Sequence, residues 1–246
     1  MDLGFYNTYF EVEKNHWLMK VRRTIVLDSL DKCLGKDSKI IKLLDFGSGS
    51  GIFVEELQRA GFDAHGVDIS DEAVRFGALQ GIKNLSVIDS HKINFPDNTF
   101  DVVLSMDVLE HLEDEEWALK EIERILKPNG IFVVMVPAYM FLWGVQDEVA
   151  HHYRRYTKGS LLKVVKDKTK LNTVRSTYFN TFLFTPIALV RLVSRLFKIK
   201  GRESDFDLNS PLLNKILFSI FNFERKILKK ISFPFGVSIL ALFKKN

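Results

Sequence analysis

Three aspartates are spaced around a glycine-rich stretch. Asp45 precedes Gly47-Ser48-Gly49-Ser50-Gly51, and Asp68 and Asp89 follow it. Glycines at this density let a backbone approach a ligand closely and leave N–H groups free at a helix start. A carboxylate at Asp68 can accept two hydrogen bonds from a ribose diol, whether the ribose belongs to a dinucleotide or to adenosylmethionine. Asp89 can accept a bond from an adenine amino group. Asp45 stands two residues before the first glycine, where its charge would repel a pyrophosphate. It favours a ligand that carries positive charge, such as an ammonium and a sulfonium.

A second set of residues could handle an acceptor molecule. His111 lies in LEHLED, and His151-His152-Tyr153-Arg154-Arg155-Tyr156 follows further on. His152 or His111 could take a proton near neutral pH. Arg154 and Arg155 could grip a phosphate or carboxylate by bidentate bonds. Alternatively, either arginine pairs with Asp147 or Glu148 in a surface loop. Tyr139 and Trp143 could line an apolar pocket, or simply pack. Asp107, Glu110, His111, Glu113 and Asp114 are crowded, but most of them precede or open a helix as a solvated acidic face. His151 and His152 lack the i, i+4 spacing of helical metal ligands, so no metal is expected. The one cysteine, Cys33, is far from these motifs.

These side chains need a scaffold. KIIKLLDF (39–46) is a short apolar run stopped by glycine and reads as a buried parallel strand. A helix over 52–60 follows, then a strand over 62–68 and a helix over 70–80 with Ser70 as N-cap. Further strands are expected at 84–89, 100–106 and 131–137. An acidic helix is expected over 113–126, with KPNG (127–130) as a helix stop and turn. This alternation predicts a doubly wound parallel sheet with ligands at the carboxyl ends of its strands. Beyond it come a loop over 138–156, a helix over 159–168, a strand over 173–179, helices through 182–231 and a strand over 236–243. A further helix, or two, is expected within 11–34.

The motifs LLDFGSGSG (43–51), GVDIS (66–70), VIDS (87–90), FPDNTFDVVLSMDVLEHLED (95–114) and LKPNGIFVVMVP (126–137) resemble, in type, order and spacing, those of class I S-adenosylmethionine-dependent methyltransferases. The resemblance implies an α/β, Rossmann-like, mostly parallel seven-stranded sheet whose antiparallel last strand pairs between strands five and six. It implies that the loop from Phe46 through Gly47, Ser48 and Gly49 to Gly51 wraps the methionine part of S-adenosyl-L-methionine, with Asp45 beside it. Asp68, next to Ile69, would hold the ribose. Asp89 and Ser90 would flank the adenine, and Met106 would meet the methionine end. EKNHW (13–17) is similar to the N-terminal helix that covers the site in small-molecule methyltransferases, which makes His16 and Trp17 acceptor-contact candidates along with Tyr139, Trp143, Arg154, Arg155 and Tyr156. HHYRRYTKGSL, TYFNTFLF and PFGVSILAL resemble methyltransferases that accompany glycolipid and polysaccharide assembly. The expected activity is in-line methyl transfer to a small-molecule, glycan or lipid-linked acceptor. A cofactor-binding module without catalysis is the alternative. A nicotinamide-dependent dehydrogenase is disfavoured by Asp45 and by GSGSG in place of GxGxxG. The D/N-P-P-Y/F tetrad of base-flipping enzymes is absent, the position reading SMDV, so no nucleic-acid partner is expected.

The chain has 246 residues, 46% of them hydrophobic, enough for a real core. Its net charge of +4 is uneven: residues 181–246 hold 12 Lys/Arg against 4 Asp/Glu, or +8, leaving −4 on the rest. A basic, Phe-rich back suits an anionic surface. The reading divides the chain into an N-terminal helical lid (1–38), a cofactor-binding core (39–180), a helical insertion (181–233) and a final core strand (234–246). Residues 182–231 are expected to touch an anionic membrane or a lipid-like acceptor. No signal peptide is read at the start and no run reaches the ~18 apolar residues of a membrane helix. The expected setting is cytoplasmic, peripheral on the inner face of the membrane, as a monomer or homodimer.

Overall fold

The structure, a computed structural model, describes residues 10–34, 40–89, 91–196 and 211–246. Seven strands form one sheet: β1 (Lys42–Phe46), β2 (Asp63–Asp68), β3 (Leu85–Val87), β4 (Phe100–Met106), β5 (Leu126–Pro137), β6 (Asn172–Phe179) and β7 (Ser238–Lys244). Their order is β3-β2-β1-β4-β5-β7-β6. The first five run parallel, and β7 lies antiparallel between β5 and β6. The mostly parallel, doubly wound Rossmann-like sheet is thus present. The strand order reverses between β1 and β4, and a crevice at such a switch point is where ligands bind in these sheets.

The strands are apolar because both faces are covered. Leu43, Leu44, Val102, Val103, Leu104 and Val133 are fully buried. Helix α1 (Trp17–Leu34) lays Val21, Ile25, Val26 and Leu30 on this core, at the spacing the sequence predicts. Each such side chain contributes roughly 1.5–3 kcal/mol when fully buried. Helix α2 (Ile52–Arg59) buries Phe53, Val54 and Leu57. Helix α3 (Asp71–Leu79) starts as expected at Ser70, whose hydroxyl accepts the Ala73 N–H at 3.1 Å.

Two boundaries differ from expectation. The acidic helix, α4 (Glu116–Ile125), begins later than expected, after a 3₁₀ turn at Leu109–His111. KPNG is not a free turn: β5 runs through it. Asn129 adopts a left-handed φ of 65°, and its N–H bonds to the Lys245 carbonyl at 3.0 Å. The Lys245 N–H returns a bond to Gly130, and its ammonium holds the Glu123 and Leu126 carbonyls at 2.7 Å each. The chain downstream of β7 therefore draws this segment into the sheet.

The loop after β5 holds a 3₁₀ turn (Met140–Leu142) and α5 (Val145–Val149), followed by α6 (Lys158–Lys168). Between β6 and β7 come α7 (Phe184–Leu196) and α8 (Pro211–Leu228). Phe221 of α8 is fully buried against Phe179 and meets Trp17 edge-on at 5.8 Å. Asp28 of α1 pairs with Arg225 and Lys229 at 2.7 Å each. The outward apolar residues of α8 are Leu212, Ile216, Phe218 and Phe223. Phe221 and Leu228, also within the segment expected to touch a membrane, are core residues instead.

Candidate active site

The loop after β1 is built by φ angles that side chains resist. Gly47, Gly49 and Gly51 have φ of +80°, +54° and +83°. A Cβ on Gly47 would lie 2.3 Å from Val108, so only glycine lets the loop lie against the segment that follows β4. Gly49 faces open space, with nothing within 4 Å of where a Cβ would stand. The Asp68 carboxylate binds the loop from the side: Oδ2 accepts the Gly49 N–H at 2.7 Å and Oδ1 accepts the Ser70 N–H at 2.9 Å. Each oxygen retains a second lone pair for a ligand hydroxyl. Ile69, next in the chain, exposes 64% of its surface at the same strand end.

Asp45 is buried beneath this loop. Burial, then Glu13, then Asp68 all raise its carboxyl, to about 7. A cation beside it would reverse that balance. The Ser48 hydroxyl is buried without a hydrogen-bond partner. Open space at Gly49, an unpaired hydroxyl and a buried acid fit a cationic, adenosine-bearing ligand. Phe46 differs from expectation. Its ring is core, edge-on to Trp117 at 5.9 Å, so only its backbone could face such a ligand. Asp89 is exposed at the end of β3, Met106 is half-buried at the end of β4, and Ser90 lies outside the described residues.

Across the crevice, Asp107 has a left-handed φ of 57° and pairs with the buried Arg22 of α1. Arg22 also lies over the Phe179 ring at 5.7 Å. Glu110 is fully buried, which corrects its reading as part of a solvated acidic face. Burial and the nearby Asp107 hold its carboxyl well above the usual range. His111 and His152 meet edge-to-face with ring centroids 4.5 Å apart. Burial and His152 both lower the His111 value. One donor atom each from Glu110, His111 and His152 lie within 4.8 Å of one another. This is the trio among the described residues that could also gather a metal ion, whereas the spacing along the chain pointed to none.

His152 is held by Asp147, whose Oδ1 lies 2.9 Å from Nδ1. An ionised carboxylate only accepts, so Nδ1 carries the proton and Nε2 keeps a lone pair. Asp147 is completely buried. Burial pulls its carboxyl up, but bonds from His152 and Arg155 outweigh that and bring it down to about 2. Its Oδ2 also accepts the Gly144 N–H at 2.8 Å.

Arg155 contacts Asp147 through Nε at 2.7 Å and Nη2 at 2.9 Å. Arg154 pairs with Glu115 and donates to the Glu113 carbonyl. The expected grip of these arginines on an anionic acceptor is therefore replaced by internal pairing. Tyr156 is 4% exposed, a core residue and not a pocket wall. Trp17 packs on Phe221, and His16 is buried and accepts the Leu18 N–H at its Nδ1, 3.3 Å away. Both take part in helix packing. Tyr139 stacks on Phe141 at 5.1 Å and on Tyr178 at 5.2 Å, near half-buried Trp143. Reasoning from the sequence missed Asp147 as an orienting acid, Arg22, and Glu13. Charged residues on otherwise apolar helical faces were the available signal for the last two.

Residues 44–134 match the model of a methyltransferase domain. The chain is 28% identical over 171 residues to the ubiquinone biosynthesis O-methyltransferase of Pelagibacter ubique, covering 62% of this chain and 70% of that one. A methyltransferase structure from Archaeoglobus fulgidus superposes with a TM-score of 0.56 at 20% identity, covering 99% of this chain and 100% of that one. Phosphoethanolamine N-methyltransferase 2 of Haemonchus contortus, in complex with S-adenosyl-L-methionine, gives a TM-score of 0.56 at 18% identity over 89% of this chain and 51% of that one. The matched domain runs from within β1 into β5 as far as Val134 and carries the glycine loop with Asp45, Asp68, Asp89, Asp107 and Glu110. The chain carries an S-adenosylmethionine-dependent methyltransferase domain over residues 44–134.

Proposed function

We propose that the enzyme methylates a hydroxyl oxygen of a small acceptor with an apolar tail, working at an anionic membrane surface. The observation that carries the reading is the Asp147–His152 pair. The cofactor supplies a methyl group already activated on a sulfonium. Asp68 and Ile69 hold its ribose side, Asp89 its adenine side, and the Gly47–Gly51 loop with Asp45 and Met106 its methionine end. A hydroxyl is a poor nucleophile until its proton leaves, so a base is needed. Nε2 of His152 accepts that proton, and Asp147 stabilises the imidazolium that results. His111, kept neutral by burial and by His152, stays out of the exchange and packs the base in place.

The tail is argued from the surface beside this pair. Tyr139, Phe141 and Phe184 form one aromatic cluster that joins the β5 loop to α7. Around it Met140, Phe141, Phe182, Leu189 and Val190 are exposed. Lys226, Lys229 and Lys230 are exposed at the end of α8. Apolar and basic residues together suit an anionic interface. No helix among the described residues is long and apolar enough to cross a membrane. The Pelagibacter relative, an O-methyltransferase of ubiquinone biosynthesis, agrees with oxygen as the acceptor atom. The division into an N-terminal segment (1–38), core (39–180), insertion (181–233) and last strand (234–246) belongs to the same reading, with the insertion as the membrane-facing part.

The test is incubation of purified protein and labelled cofactor with separate lipid and polar extracts, followed by mass spectrometry. Label is expected in a lipid-soluble methyl ether, and loss of that label in His152→Gln. Label in the polar fraction alone would refute the tail. Label on nitrogen would refute the oxygen acceptor.

A further inference from the structure

The helical turn at 10–15 lies directly over the cofactor loop, and three contacts fix it there. Phe10 is buried against Phe76, with centroids 5.4 Å apart, in a cluster with Ile52 and Ile82. Arg23 donates to the Glu13 carbonyl at 2.7 Å while pairing with Glu56 at 2.8 Å. The third contact is the Glu13 side chain, whose Oε2 accepts the Ser50 hydroxyl at 3.1 Å. Ser50 sits between Gly49 and Gly51. A carboxylate from the N-terminal segment thus reaches into the loop that Asp68 holds from the other side.

We infer that Glu13 is a cofactor-recognition residue, the third acid of a cluster with Asp45 and Asp68 that selects the positively charged methionine end of the ligand. The inference rests on the cofactor reading given above. Three carboxylates within mutual influence are costly unless a cation joins them. The charged groups around Glu13 are Arg23, Glu56, Asp45 and Asp68. Arg23 already serves Glu56 and a backbone carbonyl. Burial, Glu56 and Asp68 raise the Glu13 carboxyl to about 7, against the opposing pull of Ser50 and Arg23. Asp45 is raised to about 7 by burial, by Glu13 and by Asp68. A cationic ligand supplies the missing charge and drives both acids to ionise. A neutral ligand leaves the repulsion in place. Glu13 therefore distinguishes ligands by charge at their methionine end, and affinity for the cationic ligand rises with pH through this range.

The experiment is titration calorimetry of the full chain with three ligands. S-adenosylmethionine carries sulfonium and amino-acid groups, S-adenosylhomocysteine lacks the sulfonium charge, and 5′-methylthioadenosine lacks the charge and the amino-acid end. Glu13→Gln is expected to weaken S-adenosylmethionine about tenfold, the loss of a charged partner. It should weaken S-adenosylhomocysteine less and leave methylthioadenosine unchanged. It should also flatten the rise in S-adenosylmethionine affinity between about pH 6 and 8. Ser50→Ala removes the hydrogen bond but keeps the acid, so it should retain the ligand ranking. Glu11→Gln, an exposed neighbour, should match wild type. Equal weakening of all three ligands by Glu13→Gln, reproduced by Ser50→Ala, would make Glu13 a loop brace and overturn the inference. So would an unchanged ranking and pH slope. If wild type binds none of the three, the cofactor reading itself fails.

Discussion

The His111 and His152 rings stand perpendicular, with centroids 4.5 Å apart, and Asp147 holds only the second of them. Two imidazoles in contact cannot both be protonated cheaply. The carboxylate decides which one carries the charge. Asp147→Asn should therefore cost much of what His152→Gln costs, on the order of 10²–10⁴ in kcat. Cofactor affinity should be near wild type in both. Wild type should show an acid limb in its rate–pH profile, and His152→Gln should lack it. A profile with the same limb in that variant would remove His152 as the base.

Asp68 is bound to the glycine loop, and the proposed function gives it the ribose as well. Asp68→Ala should weaken S-adenosylmethionine by about tenfold or more, because hydrogen bonds to a charged acceptor are lost. The same variant leaves the Gly49 and Ser70 N–H groups without their acceptor. A fall in the ligand-free melting temperature is expected as well. Calorimetry and a thermal melt read the two effects separately.

Asp45 and Glu13 make the ligand-free protein sensitive to alkali. Their ordinary values are 3.8 and 4.5, and the fold raises each to about 7. Between those limits the folded chain holds protons that the unfolded chain has released, so stability falls as pH rises. The melting temperature without ligand should drop from about pH 5 to pH 8. Saturating S-adenosylmethionine should reduce the drop. Asp45→Asn should reduce it without ligand.

Arg155 and Arg154 should differ sharply. Arg155→Ala leaves the fully buried Asp147 charge short of its partner, a loss of about 3–5 kcal/mol in comparable buried pairs. Denaturant unfolding should show it. Arg154 is partly exposed, and Arg154→Ala should change stability by about 1 kcal/mol or less. If Arg155→Ala instead folds normally and only raises the acceptor KM, the arginine binds substrate after all.

The sheet was legible because it is written in short apolar runs bounded by turn residues. FDVVLSM coincides with β4 at both ends. The glycine loop was legible because closely spaced glycines have few structural uses. Pairings across long separations were not. Asp147 is five residues from His152, yet only the fold of the loop turns its carboxylate onto the ring. Glu110 reads as one more acid in LEHLED, and only the 3₁₀ turn at 109–111 sends it inward. Arg22 and Glu13 reach Asp107 and Ser50 because α1 and the preceding turn dock on the core, a docking that no local pattern encodes. KPNG misled for a related reason: a strong turn signal yields to the downstream chain that pairs with it.

The placement of β7 has a consequence for biosynthesis. The strand with the highest residue numbers lies inside the sheet, between β5 and β6. During synthesis β5 emerges more than a hundred residues before its antiparallel neighbour, and β6 about sixty. Until residues 238–244 leave the ribosome, β5 has a bare flank and β6 lacks its partner in the sheet. Such flanks are templates for pairing with other chains, and closing them requires a contact of long sequence separation, which is slow. The nascent chain passes through an adhesive stage that ends only when the last strand inserts.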